Sequence, residues 1–245
     1  MAAGQGKRMA DTSIPKVLYQ IGGEPMLGHV LRLCSKLEAS PIVCIIGYGR
    51  EAVADFIAES FPSVKTAIQQ QQLGTAHAVQ QAESALKSFD GDVLILSGDV
   101  PLLTETTAKS LIAEHRSKNA IATVLSVNLT DPMGYGRIIR DEKGNLSRIV
   151  EEKDATPEER KVTEINSGIY VFDAKTLFSI IGQIDRKNAQ GEYYLTDTFA
   201  LLIKQNLPVA IATTNDPIEV AGVNTKDQLA VLETEYQKRR LSDNR

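Results

Sequence analysis

Short apolar runs alternate with helical periodicity along most of this chain. Pro41-Ile42-Val43-Cys44-Ile45-Ile46 and Asp92-Val93-Leu94-Ile95-Leu96 are continuous rather than alternating, which predicts strands covered on both faces. Residues 25–38 set Met26, Leu27, Val30, Leu31, Cys34 and Leu37 on one stripe, behind a Pro25 suited to a helix's first turn. Residues 74–88 and 104–117 also read as helices. This βαβα rhythm predicts a doubly wound, Rossmann-like α/β sheet.

From about residue 121 the texture changes. Residues 121–127, 136–140 and 146–150 are strand-like, and Asp141-Glu142-Lys143-Gly144 makes a turn between the last two. A strand over 165–172 and a helix near 174–181 follow. The expectation is a mixed sheet extended by a smaller antiparallel lobe. Residues 225–240 read as a charged helix, so the chain divides into one domain over 1–224 and a helical arm over 225–245.

Composition narrows the function classes. Twenty-seven Lys+Arg against 31 Asp+Glu leave a net charge of −4, which argues against a nucleic-acid or anionic-membrane surface. No window approaches the ~18–20 consecutive apolar residues of a membrane span, and the first nine residues lack the apolar core of a signal peptide. With Cys34 and Cys44 as the only cysteines, disulfide scaffolds and zinc ribbons are excluded, and two reduced thiols in a cytoplasmic enzyme are expected.

Candidate chemistry falls on loops that follow strands, where ligands of open α/β sheets bind. In Ala2-Ala3-Gly4-Gln5-Gly6-Lys7-Arg8-Met9, the absence of side chains at Gly4 and Gly6 lets backbone N–H groups approach a phosphate, and Arg8 can grip its oxygens bidentately. A plain turn has the same sequence pattern. Met9 stands at the third glycine position of a dinucleotide fingerprint, and the Walker spacing is missing. Lys16, in Ile14-Pro15-Lys16-Val17-Leu18, is either a surface lysine or a phosphate cation. Ser97-Gly98-Asp99 places a carboxylate at the end of the buried strand 92–96, a position that suits Mg²⁺ bridging phosphates but is also common in turns.

Taken in order, these elements resemble the sugar-phosphate nucleotidyltransferases. The segments Gln69-Gln70-Gln71-Gln72-Leu73-Gly74-Thr75-Ala76-His77-Ala78, Asp131-Pro132-Met133-Gly134-Tyr135-Gly136-Arg137-Ile138 and Ile149-Val150-Glu151-Glu152-Lys153-Asp154-Ala155 narrow the likeness. So do Glu164-Ile165-Asn166-Ser167-Gly168, Gln190-Gly191-Glu192-Tyr193-Tyr194-Leu195-Thr196-Asp197 and Gly222-Val223-Asn224. Together they resemble the uridylyltransferase half of the bacterial bifunctional N-acetylglucosamine-1-phosphate uridylyltransferase/glucosamine-1-phosphate acetyltransferase family.

That resemblance implies transfer of uridylyl from UTP to N-acetylglucosamine 1-phosphate, for cell-envelope precursors. It implies that Ala2, Ala3, Gly4, Gln69, Gly74, Thr75 and Gly98 bind the nucleotide. Gly136, Glu151, Asn166 and Asn224 would hold the amino sugar, and Asp99 with Asn224 would hold Mg²⁺. Arg8, Lys16 and Asp99 would be the catalytic set, neutralising charge on the triphosphate and pyrophosphate. Tyr193 and Tyr194 read first as core, and His29, His77 and His115 as structural. A sugar phosphate is already an anion, so in-line attack needs alignment and charge neutralisation rather than a general base.

The chain also departs from the family pattern. Family members open with an apolar strand just before the Ala2-Ala3-Gly4 loop. Here Met1 alone stands in its place, so the first central strand is expected to be missing and the domain impaired. The spacer between Arg8 and Pro15 is one residue longer than expected. The trimer-forming β-helix of the acetyltransferase half has no counterpart, so neither acetyl transfer nor an oligomeric state is assigned. A nucleotidyltransferase of other sugar specificity, or a truncated or non-catalytic nucleotide-binding homologue, stays open on sequence alone.

Overall fold

The structure, a computed structural model, describes residues 1–6, 9 and 14–243. In chain order its elements begin with β1 (Gln20–Ile21), β2 (Glu24–Pro25), α1 (Met26–Lys36), β3 (Val43–Ile46), α2 (Arg50–Ser60), β4 (Lys65–Ile68), α3 (Thr75–Gln80) and β5 (Asp92–Ile95). They continue with α4 (Glu105–Ser117), β6 (Ala122–Asn128), β7 (Gly136–Arg140), β8 (Leu146–Val150) and β9 (Glu164–Asp173). The last are α5 (Ala174–Ile180), α6 (Asp197–Lys204), β10 (Val209–Thr213) and α7 (Lys226–Asp243). The chain divides into two compact units: residues 1–72, 96–105 and 218–245 form one, and 73–95 with 106–217 the other. None of the described helices is long and apolar enough to cross a membrane.

In the first unit β3 and β4 pair in parallel, Val43 opposite Lys65 through Ile46 opposite Ile68, with α2 as the crossover. Residues 1–3 run beside β3. The Ala2 N–H donates to the Ile45 carbonyl at 2.7 Å, and Tyr48 N–H to the Ala3 carbonyl at 3.2 Å. On their other side, the Met1 ammonium donates to the Leu96 carbonyl at 2.6 Å and Gly98 N–H to the Met1 carbonyl at 2.8 Å. The residues leading into the glycine loop are thus hydrogen-bonded on both edges, as the end of a central strand would be. Ala2, Val17, Leu27, Leu31, Cys44, Ile46, Val53 and Ile57 form one buried cluster under this layer. The predicted stripe on α1 is buried at Met26, Leu27, Val30 and Leu31 and half-buried at Cys34, while Leu37 falls just past the helix end and Leu33, off the stripe, is buried as well. A second cluster of Met9, Ile21, Met26, Leu102, Val223 and Leu232 takes in one face of α7.

The second unit is built on a six-stranded mixed sheet, β10-β6-β9-β7-β8, with β5 also on β9. β10 runs parallel to β6, and the other pairs are antiparallel. Six of the seven residues of β6 and seven of the ten in β9 are buried, the continuous burial expected of strands covered on both faces. Tyr170, Phe172 and Phe199 pack with ring centroids 5.3–5.9 Å apart. The helix expected over 74–88 is interrupted. α3 ends at Gln80, and Ala82 and Glu83 then donate to the carbonyls three residues back, tightening the chain into a short 3₁₀ turn over Ser84–Leu86. No glycine or proline marks that point in the sequence.

Candidate functional site

In the first unit the tight turn at Lys16–Leu18 buries Val17 and turns Lys16 toward Asp99, which lies in the turn after residues 96–98. The Lys16 ammonium pairs with Asp99 Oδ2 and also donates to Asn224 Oδ1 at 3.3 Å. Both members of the ion pair are largely buried, with side chains 13% and 21% exposed, so solvent screens it less than a surface bridge. The chain around Asn224 is fixed from two directions. Val223 N–H donates to the Asp99 carbonyl at 3.0 Å. Behind it, Thr225 and Gln228 form a capping box at the start of α7. Gln228 Oε1 accepts from Asn224 N–H at 2.7 Å and Thr225 N–H at 3.2 Å, while Thr225 Oγ1 accepts from Gln228 N–H at 3.2 Å.

A carboxylate and an amide oxygen, 125 positions apart in the chain, therefore converge on one cation. These are hard oxygen donors of the kind a divalent cation such as Mg²⁺ prefers, and a site with only these two protein donors would leave positions for other oxygens. Among the described residues no group of three or more His, Cys, Asp or Glu could hold a metal by itself.

Ala2, Ala3 and Gln69 are buried in the same unit, at 3%, 5% and 3% exposure. Gln69 N–H donates to Ile46 at 2.8 Å, continuing the β3–β4 pairing, and its carbonyl accepts from Gln72 Nε2 at 3.3 Å. A Cβ built on Gly4 would meet nothing within 4 Å, so the loop is open at that point. Arg8 and residues 10–13 of the longer spacer lie outside the described residues.

The second unit gathers another set. Gly136 at the head of β7 lies directly opposite Asn166 on β9, and Glu151 follows β8. A Cβ on Gly136 would stand 3.3 Å from Glu151 Oε2 and 3.5 Å from Asn166 Cβ, so the missing side chain keeps the space between them clear. Thr196 Oγ1 donates to Glu151 Oε1 at 3.0 Å. Burial pushes the Glu151 carboxyl above its usual range, opposed by the Thr196 bond and reinforced by Asp197, Asp154 and Glu192. Asn166 donates from Nδ2 to the Tyr170 hydroxyl at 2.8 Å and accepts Gly168 N–H on Oδ1 at 3.0 Å. Burial, with the Glu151 charge nearby, pushes the Tyr170 phenol far up, so it stays a neutral hydroxyl.

Gly74 and Thr75 are clamped to residues 193–195 of the same unit. Tyr193 N–H donates to the Leu73 carbonyl at 2.8 Å, Ala76 N–H to the Tyr193 carbonyl at 2.9 Å, and Leu195 N–H to Thr75 Oγ1 at 2.9 Å. The Tyr194 hydroxyl donates to Asp154 Oδ2 at 3.1 Å and accepts from Gln190 Nε2 at 2.9 Å. The histidines pack or brace. His29 meets the Ile21 carbonyl at 2.8 Å, His115 meets Thr123 Oγ1 at 2.8 Å, and the His77 ring lies 6.4 Å from that of Tyr193. Among the residues given no role from sequence, Thr196, Tyr170 and Gln228 hold the candidate ligands directly. Thr196 sits inside a quoted motif, and Thr225-x-x-Gln228 is legible as a capping box, but Tyr170 reads only as strand core.

Three kinds of similarity to known proteins bear on the family and the fold. The family model for nucleotidyl transferases matches residues 1–216. A relative from Syntrophomonas wolfei subsp. wolfei, named bifunctional protein GlmU, is 42% identical over 240 residues, covering 98% of this chain and 53% of its own length. A protein of the same name from Pelotomaculum thermopropionicum is 45% identical over 243 residues, covering 99% and 52%. The chain spans about half the length of the curated relatives it matches. A solved UDP-glucose pyrophosphorylase in complex with UDP-glucose superposes with a TM-score of 0.76 at 17% identity, over 97% of each chain. A structure described as a glucose-1-phosphate thymidylyltransferase from Bacillus anthracis gives 0.73 at 21%, over 95% of this chain and 93% of that one. At such identities the two structures show the mixed α/β fold alone. With a family match over most of its length, a shared fold, and oxygen donors gathered beside a glycine loop, the chain belongs to the nucleotidyl transferase family.

Proposed function

We propose that this chain transfers the uridylyl group of UTP to N-acetylglucosamine 1-phosphate, giving UDP-N-acetylglucosamine and pyrophosphate. The setting is the cytoplasm, where the product would feed synthesis of peptidoglycan and other envelope polymers. The observation that carries the reading is the convergence of Lys16, Asp99 and Asn224, drawn from three distant segments of one unit. A binding module would need no such arrangement, whereas charge neutralisation during displacement at phosphorus does.

Asp99 and Asn224 would hold Mg²⁺, which when bound supplies Lewis-acid neutralisation of the phosphate oxygens. Lys16 would give its ammonium to the triphosphate, with Arg8 gripping further oxygens. Ala2, Ala3, Gly4, Gln69, Gly74, Thr75 and Gly98 are assigned to the nucleotide. The Gln69 amide can both donate and accept, matching the mixed edge of a uracil. For the sugar, the Glu151 carboxylate accepts from hydroxyls, Asn166 donates to an oxygen, and Gly136 leaves room for the ring. The sugar phosphate attacks the α-phosphorus as an anion, and pyrophosphate leaves without a covalent enzyme intermediate.

Pyrophosphate release with UTP and a panel of sugar 1-phosphates, with and without Mg²⁺, tests this reading. Metal-dependent release selective for N-acetylglucosamine 1-phosphate is expected. Preference for a different sugar would overturn the substrate, UTP binding without release would make the chain a binding homologue, and radiolabelled uridylyl on the protein would overturn direct displacement.

A further inference from the structure

Strand β9 does not run straight through the sugar-site residues. Ser126 on β6 faces Asn166, and Val124 faces Tyr170, so two residues of β6 span four of β9. Four residues of regular strand cover roughly 13 Å and two cover roughly 7 Å. The extra length is taken up over residues 167–169, where Gly168 adopts φ +78°. Ser167 pins the excursion: its hydroxyl donates to the Leu125 carbonyl at 2.7 Å and accepts Ile169 N–H at 3.2 Å. Bulges of this kind re-aim side chains beside functional sites. Here the bulge draws Asn166 and Tyr170 together, and the amide meets the phenol at 2.8 Å.

A terminal amide can lie either way round, and its partners decide which. Gly168 N–H needs an acceptor and so holds Oδ1. The opposite end must then be Nδ2, and the Tyr170 oxygen receives one of its two hydrogens. We propose that Tyr170 is a positioning residue of the sugar site: its hydroxyl, brought in by the bulge, locks the Asn166 amide so that the second N–H is presented to a sugar oxygen. This rests on the reading of Asn166 as a sugar ligand. An amide flipped the other way would present an acceptor instead and would set an N–H against Gly168 N–H.

Tyr170→Phe tests it, because the ring keeps its packing on Phe172 and Phe199 and only the hydroxyl is removed. In the free protein, the side-chain amide ¹H–¹⁵N signals of Asn166, identified by their loss in Asn166→Ala, are expected to shift upfield in Tyr170→Phe. Unchanged signals overturn the proposal. In turnover, the KM for the sugar phosphate is expected to rise roughly three- to ten-fold, the scale of one lost hydrogen bond, with the KM for UTP held. Equal rises in both, or none, also overturn it. In an Asn166→Ala background the added Tyr170→Phe change is expected to alter the sugar KM by less than about two-fold, since the two residues act as a unit. A full effect there would mean that Tyr170 acts by another route. A wild-type chain that turns over no sugar phosphate overturns the functional reading alone, because the amide signals are read without substrate.

Discussion

Gly74→Ala is the sharpest test of how the second unit holds its proposed nucleotide residues. Gly74 has φ +119° and ψ 176°, a region open essentially to glycine, and a side chain there costs on the order of 1–3 kcal/mol in backbone strain. The added methyl would also press on the Tyr193 peptide oxygen and stand 2.6 Å from its nitrogen and 2.9 Å from its carbonyl carbon. These are backbone atoms held by the Leu73–Tyr193 and Tyr193–Ala76 hydrogen bonds, so they cannot swing aside as a side-chain tip would. Overpacking adds a further ~1–3 kcal/mol. The sum, about 2–6 kcal/mol, is a large part of a domain's roughly 5–15 kcal/mol. At about 2–4 °C per kcal/mol for a chain of this size, thermal unfolding followed by circular dichroism should show a fall of roughly 5–20 °C. Gly4→Ala is the control. It has no positive φ and no neighbour within 4 Å, so its unfolding temperature should stay within about 2 °C of the wild type. If Gly4 approaches a phosphate, however, UTP affinity should fall in that variant. Equal thermal shifts for the two alanines would refute the close-approach argument.

Asp99→Ala should lower the rate of pyrophosphate release by roughly 10²–10³-fold while the fold persists, the scale of removing one electrostatic stabiliser; near-normal turnover would remove Asp99 from the reaction. Gln228→Ala breaks the capping box that fixes Asn224, so a loss of about 1 kcal/mol and a higher half-saturating Mg²⁺ concentration are expected, to be read by thermal unfolding and metal titration. Burial, with Asp185 and Asp154 nearby, pushes the Asp197 carboxyl up to about 6. A carboxyl that holds its proton more tightly when folded destabilises the fold as pH rises from its ordinary value through about 6, and the penalty persists above that. Asp197→Asn should therefore raise the unfolding temperature at pH 8 and make little difference near pH 3.5; an equal gain at both would rule out titration as the cause.

Local pattern alone carried a good part of the molecule. The continuous apolar runs at residues 43–46 and 92–95 are strands, the stripe from Met26 to Leu31 is buried, and the turn at Asp141 forms with its carboxylate accepting from Lys143 and Asn145 N–H. These features follow from periodicity and from side chains bonding their own backbone, both of which act over a few residues. The residues of the proposed site were named by the ordered motifs that carry the family resemblance, since taken singly each fits a turn, a cap or a solvated face as well. α2 and β4 were not legible, because α2 buries only Val53 and Ile57, and β4 shows solvent three of its four residues. Nor does composition mark where the helix after Gly74 tightens, or that β10 lies parallel beside β6. The decisive contacts belong to tertiary structure. Lys16 reaches Asn224 across 208 positions, and Asn166 meets Tyr170 only because β9 gains two residues on β6. Sequence pattern records how much of each residue is buried, whereas register and long-range convergence are settled only when whole layers pack against one another.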